Sequence, residues 1–304
     1  MKKVLLIRLD KIGDLICTLP ADQILDESKY DVTWIVQKGL GAVVDLGEKK
    51  RRYIEIDKNN PSEARQTLTA FLKHNSFNYA ISFQCPWWVN FELFKARIPI
   101  RAGVLSQWHS FLFLNAGVRQ KRSKAVQHEL EYNLDLVRKT FDISQNKEFI
   151  FFHIEKPSSQ DVIQKYNLKE DSYVVVHPGM MGSALNWPQS RYIKKINELL
   201  AQGHTVTITG TESDEAYLTE IKKEFSNHPQ VVWLQSKLNL QQLVQLLAFS
   251  KKVIAPSTGV AHLAASVGSN VKAIFSSARV QSPTRWAPRG SNVEIWMIDL
   301  EDVF

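Results

Sequence analysis

Four short segments combine residue types that could do chemistry. Tyr173–Pro188 reads YVVVHPGMMGSALNWP: a β-branched run stops at His177-Pro178-Gly179, passes Met180, Gly182 and Ser183, and reaches Pro188. A strand, a glycine-punctuated loop and a helix start, in that order, offer backbone N–H groups to a phosphate. Ala255–Ala265 (APSTGVAHLAA) repeats the theme: Ser257, Thr258 and Gly259 open an alanine-rich helix with His262 one turn inside. The N–H groups of such a first turn suit an anion. After the run Thr205–Thr209, Gly210 precedes Thr211 and Glu212. Either Glu212 or Glu215 reaches ribose hydroxyls, or Ser213 simply caps a helix whose first turn holds Asp214 and Glu215. Near the N-terminus, Arg8–Asp14 turns at Gly13 and leaves Asp14 at a helix start. There Asp14 is either a capping carboxylate in the helix field or a general base at the mouth of a site. None of the glycine patterns is GxGxxG or GxxxxGK[ST], so each is weak alone.

The elements that must position these segments alternate along the chain. Strands are expected at Val4–Leu9, Val32–Val36, Tyr53–Ile56, Tyr79–Phe83 and Ile100–Val104, then at Tyr173–His177, Thr205–Thr209, Val231–Leu234, Lys252–Ala255 and Val271–Phe275. Helical patterns fall at Asp14–Asp26, Pro61–His74 and Gln127–Thr140, after Pro188 up to Gly203, and after Asn239 as N-cap. Strand–helix alternation argues for parallel sheets covered on both faces, and two such runs argue for two doubly wound domains. The sequence EKPSSQD marks the join, giving domains 1–156 and 157–304. In open α/β sheets the ligand sits beyond the carboxyl ends of the strands. Two domains facing each other across those ends make a cleft.

Composition sets the bounds. A chain of 304 residues with 44% hydrophobic and 23% charged content is that of a soluble globular protein with room for two cores. No apolar run approaches the ~20 residues of a membrane span. Arg8, Asp10 and Lys11 interrupt the N-terminal apolar run, so it reads as a first strand of a cytoplasmic protein rather than a signal peptide. Cys17 and Cys85 lack metal-site spacing and read as packed thiols. The net charge of +7 favours anionic partners without choosing among nucleotides, lipid headgroups and nucleic acid.

Taken together, GD-x3-TLP at Gly13–Pro20, HPGxxGSAxNWP at His177–Pro188, a glycine with a following glutamate after the next strand (Gly210, then Glu212 or Glu215), and STG-x-x-H at Ser257–His262 resemble glycosyltransferase family 9, the lipopolysaccharide heptosyltransferases. His128-Glu129 and Tyr132-Asn133 resemble a further element of that family. The resemblance implies a GT-B fold, with two Rossmann-like domains facing across a cleft, the first for the acceptor and the second for a nucleotide-sugar donor such as ADP-heptose. It implies inverting transfer with Asp14 as general base. Gly179, Met180, Gly182, Ser183, Glu212, Ser257, Thr258, Gly259 and His262 are then expected on the donor, and Gly13 on the acceptor side. At two positions the chain departs from the pattern: Leu185 stands where a diphosphate-binding lysine is usual, and Ser257 where an aspartate is common.

With no Asp-x-Asp pair in the chain, no metal and no resident cofactor is expected, and leaving-group charge falls to amides, helix termini and cations. Arg119, Lys121, Arg122 and Lys124 form a basic run downstream of Trp87, Trp88, Trp108, Phe111 and Phe113. That mixture suits an anionic glycolipid acceptor at a membrane surface, or else a solvated loop beside core aromatics, and the family resemblance implies the inner face of the inner membrane as that surface. A nicotinamide-dependent oxidoreductase is disfavoured by the missing GxGxxG, and nucleic acid by the absence of basic residues interleaved with aromatics on one motif. A non-catalytic sugar-nucleotide-binding homologue stays open.

Overall fold

The computed structural model describes residues 1–144, 149–180, 182 and 185–298. The chain forms two compact units: Met1–Arg122 with Val126–Phe152, and Ser123–Ala125 with His153–Phe304.

The first unit is a six-stranded parallel sheet of β1 (Lys2–Arg8), β2 (Tyr30–Gln37), β3 (Arg52–Ile56), β4 (Tyr79–Ser82), β5 (Ile100–Val104) and β6 (Ala116–Val118), in the order β3-β2-β1-β4-β5-β6. Central β1 is buried from Val4 to Arg8, the continuous apolar run of a strand covered on both faces. Helix Pro61–His74 covers one face. Asn60 caps it by accepting from Glu63 N–H, Pro61 fits the first turn, and Ala64, Leu68 and Leu72 recur at four-residue spacing to meet the sheet.

The second unit repeats the plan with β7 (Tyr173–Val176), β8 (Thr205–Ile208), β9 (Val231–Trp233), β10 (Lys252–Pro256), β11 (Val271–Ser276) and β12 (Val293–Ile298), ordered β12-β11-β10-β7-β8-β9. Helix Gln189–Ala201 turns Tyr192, Ile196 and Leu199 onto this sheet, and Gly203, at φ +80°, carries the chain out of it. Asn239 caps helix Leu240–Ala248 in a reciprocal box with Gln242, at 2.9 and 3.0 Å.

In both sheets the winding direction reverses beside the first strand of the unit, between β1 and β4 and between β7 and β10. A doubly wound sheet opens a crevice at that point.

Some expected elements differ. The helix expected over Asp14–Asp26 is two pieces, an α-helix at Ile12–Ile16 and a 3-10 turn at Leu19–Asp22. Asn133 Nδ2 takes the Cys17 carbonyl at 2.9 Å, and Pro20 brings no N–H with which to continue the ladder. Strands β6 and β12 and the helices Trp87–Lys95 and Trp108–Phe113 are further elements, beyond the expected set. Both cysteines are free and buried, and burial pushes the Cys85 thiol up to about 12, so it is inert.

Candidate active site: two half-sites at the sheet switch points

In the first unit, β1 ends on Arg8, and Asp14 follows in the first turn of helix Ile12–Ile16. No side chain caps this helix, and the Asp14 carboxylate is spent on Arg8 instead, Nη2 to Oδ1 at 2.5 Å. The capping explanation therefore does not describe Asp14. Arg8 is 1% exposed and also donates to the Phe83 carbonyl at 3.3 Å. Its Nε lies 3.1 Å from Asp10 Oδ2, an ion pair without hydrogen-bond alignment. Lys58 balances Asp10 at 2.7 Å. From behind, buried Glu129 faces Arg8 Nη1 at 3.9 Å and binds Arg122.

Burial raises the Asp14 pKa above the ordinary carboxylate value, and Arg8 opposes that shift in part. Burial also weighs against the charge of Arg8, but Asp14, Asp10 and Glu129 hold it more firmly protonated than a free guanidinium. The result is a carboxylate with an anchored geometry and a reduced reluctance to take a proton. It faces a cavity of about 470 Å³ bounded by Asp10, Asp14, Lys58, Gln84, Asn90 and His109, among others. Within it Asn90 Nδ2 and His109 Nδ1 share a 3.0 Å hydrogen bond, while buried Asn90 Oδ1 has no partner among the described residues. Burial lowers the His109 pKa, which favours a neutral ring.

The helix Glu129–Phe141 holds this site in place. His128 caps it, Nδ1 accepting from Leu130 N–H at 3.1 Å, and Asn133 ties Thr18 Oγ1 at 3.1 Å as well as Cys17. Arg122, expected in a basic run that meets the acceptor, is buried instead and turned away from that use. It donates to Glu129, to Asn133 at 3.1 Å and to Gln120 at 2.8 Å, because the buried Glu129 carboxylate needs a cation and Asn133 offers a further acceptor. Arg119 and Lys121 stay exposed; Lys124, also exposed, groups with the second unit. Gly13 lies in the helix turn itself, its carbonyl accepting from Cys17 N–H.

In the second unit the loop after β7 and the helix after β10 lie on neighbouring strands, and His177 N–H donates to the Ile254 carbonyl at 2.9 Å. Gly179 has no room for a side chain: a Cβ there would sit 2.3 Å from the carboxyl carbon of Asp214. Gly182 holds φ +70°, the left-handed region that glycine adopts freely. Met180 is half-buried between them, and Ser183 lies outside the described residues. Asn186 closes the loop at its base, Nδ2 donating to the Pro178 carbonyl at 2.7 Å while Oδ1 accepts from Trp187 N–H and Tyr192 O–H. Trp187 in turn stacks on Trp296 of β12 at 5.6 Å.

After β10, Ser257, Thr258 and Gly259 lead into helix Gly259–Ser266. The first-turn N–H groups of a helix have no acceptor of their own. Thr258 Oγ1 is buried there with no hydrogen-bond partner among the described residues. His262 is buried one turn inside, and burial lowers both it and His177 to about 4, so both rings are neutral. His177 shares a 3.0 Å hydrogen bond with Thr209.

After β8 the acid facing the loop is Asp214, not Glu212. Glu212 is exposed, whereas Asp214 Oδ2 accepts from Thr211 N–H and O–H at 2.9 and 2.8 Å in a capping box. Thr211, rather than Ser213, is the cap. Sequence reasoning also passed over Arg8, Asn90 and Asn186 as positioning groups.

Comparison with known proteins identifies the family and the fold. Residues 65–302 match the family described as glycosyltransferase family 9 (heptosyltransferase). A Haemophilus influenzae protein provisionally named a glycosyltransferase is 27% identical over 302 residues, covering 95% of this chain and 86% of its own. The solved E. coli ADP-heptose LPS heptosyltransferase II superposes with a TM-score of 0.82 at 17% identity, covering 100% of this chain and 94% of its own. E. coli heptosyltransferase WaaC, solved with ADP, gives 0.75 at 18% identity over 99% and 95% of the two chains. Two doubly wound parallel sheets, each with its reversal lined by the motif residues, and a family match over most of the length place this chain in glycosyltransferase family 9, on the GT-B fold.

Proposed function

We propose that this glycosyltransferase moves a sugar, heptose in the first instance, from a nucleotide-diphosphate donor of the ADP-heptose type to a lipopolysaccharide core or similar glycolipid. The observation that carries the reading is Asp14: an anchored, partly desolvated carboxylate lining a cavity at a sheet switch point. Arg8 holds Oδ1, which leaves Oδ2 to take the proton of an acceptor hydroxyl. The hydroxyl oxygen attacks the anomeric carbon as the bond to the diphosphate breaks on the opposite face, and the configuration inverts. The departing charge is met by the N–H groups opening helix Gly259–Ser266, by the Thr258 hydroxyl and by the loop at Gly179–Gly182, with no metal in the scheme. The ADP and ADP-heptose named for the solved neighbours favour adenine as the donor base.

Leu185 supports a narrower alternative. It packs against the core of the second unit, and its N–H donates to Gln281 at 3.3 Å, so this position supplies no cation to a diphosphate. A homologue that binds a different nucleotide sugar, or binds without transfer, fits that observation. Calorimetry with ADP-, GDP- and UDP-sugars followed by a product assay on a core glycolipid separates the two. Tightest binding of an ADP-sugar with inverted product supports the proposal. Binding without transfer to any acceptor favours the alternative, and no binding of any nucleotide sugar overturns both.

A further inference from the structure

We infer that helices Trp87–Lys95 and Trp108–Phe113 form a face that docks on an anionic bilayer, with aromatic side chains entering the interface and basic ones meeting lipid phosphates. The inference deepens the glycolipid reading above and rests on it for its purpose, though not for its test.

Exposed apolar side chains are concentrated here. Trp108, Leu112 and Phe111 are 65%, 63% and 55% exposed, and Trp87 and Phe94 are nearly half exposed. Rings connect the two helices, with Phe113 lying 5.4 Å from Phe91 and 5.8 Å from Phe94. A contiguous apolar surface of this kind marks an interaction site.

Charge selects the partner. Residues Gln84–Lys121 carry five cations and one acid, a net charge of +4 in a chain of net +7. The lone acid, Glu92, is buried and bonded to Arg65 and Thr69, so it does not offset the surface potential. Arg119 stacks over Phe111 at 5.9 Å, Arg101 over Phe94 at 5.4 Å and Arg65 over Trp87 at 5.6 Å, while Lys95 and Arg97 stay exposed. Amphipathic rings flanked by cations with no exposed acid between them match the headgroup layer of an anionic leaflet. A mixed-charge protein surface would leave those cations poorly matched. No described helix is long and apolar enough to cross a membrane, so attachment through this face is interfacial.

Position gives the face a use. Helix Trp108–Phe113 turns His109 and Ser110 inward, where they line the cavity that holds Asp14, and exposes Trp108, Phe111 and Leu112 on its other side. One turn and a half of helix thus joins the acceptor cavity to the proposed lipid contact. A sugar anchored in a leaflet would enter the cavity while its lipid stayed in the bilayer.

The test is cosedimentation of the full chain with vesicles of phosphatidylethanolamine and phosphatidylglycerol, or of phosphatidylcholine alone, with no glycolipid present. Partition onto the anionic vesicles, weakened by salt, is expected, with little onto phosphatidylcholine. The triple variant Trp108→Ser, Phe111→Ser, Leu112→Ser should lower that partition by at least about tenfold. The pair Arg119→Glu, Lys121→Glu should lower it as well. Nucleotide-sugar calorimetry on the triple variant checks that the fold and donor binding survive, and it fails independently if the proposed function is wrong. Absence of vesicle binding by the unaltered chain, or equal binding by the triple variant, overturns the inference. So does sedimentation velocity showing that the face instead mediates self-association.

Discussion

At the reversal between β1 and β4 the first unit gathers ionised side chains: Arg8, Asp10, Asp14 and Lys58, backed by Glu129 and Arg122. At the matching reversal between β7 and β10 the second unit presents main chain, glycine, a hydroxyl with no partner among the described residues and two uncharged histidines, with the Asp214 carboxylate beside Gly179 engaged by Thr211. The strand order is the same in both sheets when each is read from the third strand of its unit. The fold thus fixes where a site opens, and the residues at the strand ends decide what it does. Removing a proton needs an ionisable group held at a defined angle. Holding a diphosphate needs several N–H donors, and a nearby carboxylate such as Asp214 must be engaged elsewhere, here by Thr211.

The contrast can be broken most forcefully at Asp14. Asp14→Ala should lower kcat by roughly 10²–10⁴-fold, the usual worth of a general base, and leave the donor Kd within about twofold. Single-turnover kinetics and calorimetry read the two separately, and an equal loss in both would erase the division of labour. Asp14→Asn, which keeps the size and loses the basicity, should be as slow as the alanine.

Acid should find the second unit next. Its two buried histidines take a proton only near pH 4 when folded, whereas in the unfolded chain they take it near 6.5. Stability is therefore complete above about 6.5 and is lost as the pH falls toward about 4. The loss should reach a few kcal/mol, because each tenfold drop in proton affinity on folding is worth about 1.4 kcal/mol. Urea melts from pH 7 to 4 measure the slope, and His262→Gln should flatten it even if the variant starts less stable. An unchanged slope would mean that His262 is not kept neutral by the fold.

Gly179→Ala places a methyl group against the Asp214 carboxyl, so the loop or the Thr211 turn must move. Overpacking of this kind costs about 1–3 kcal/mol. It should appear as weaker donor binding with normal binding of isolated acceptor. Asp214→Ala in the same chain should recover part of the lost affinity, and purely additive effects would show that the clash is relieved elsewhere.

The smallest effect sharpens the comparison most. Thr258→Val removes a buried hydroxyl that has no partner among the described residues, so stability should hold or rise by up to about 1 kcal/mol. Donor affinity should fall about fivefold, since a hydrogen bond is worth roughly 1 kcal/mol. Thermal melts with and without ADP would show the two signs, and a loss of stability in the free protein would assign the hydroxyl a structural role.

Much of this was legible in the chain. Asp14 stood out because a turn and a helix start bracket it, and the glycine loops showed because backbone approach leaves a trace in residue type. Arg8 left none: a basic residue closing an apolar strand reads as solvated, and its partners Phe83 and Glu129 arrive from distant segments. Three acids within Glu212–Glu215 cannot be ranked by spacing, although Thr211 and Asp214 three apart form a capping signature. The strand Ala116–Val118 is three residues with two small side chains, too little to register. Val293–Ile298 is exposed at Glu294 and Met297, three apart, so it lacks the strict alternation that marks a half-buried strand.

The stacked indoles of Trp187 and Trp296 carry a practical consequence. Rings 5.6 Å apart and inclined by 23° couple their excited states, and one of them follows directly after Asn186, the residue that clasps Pro178. The pair is a built-in chromophore at the foot of the loop proposed to hold the donor. Near-ultraviolet circular dichroism should therefore register ligand arrival without any attached label.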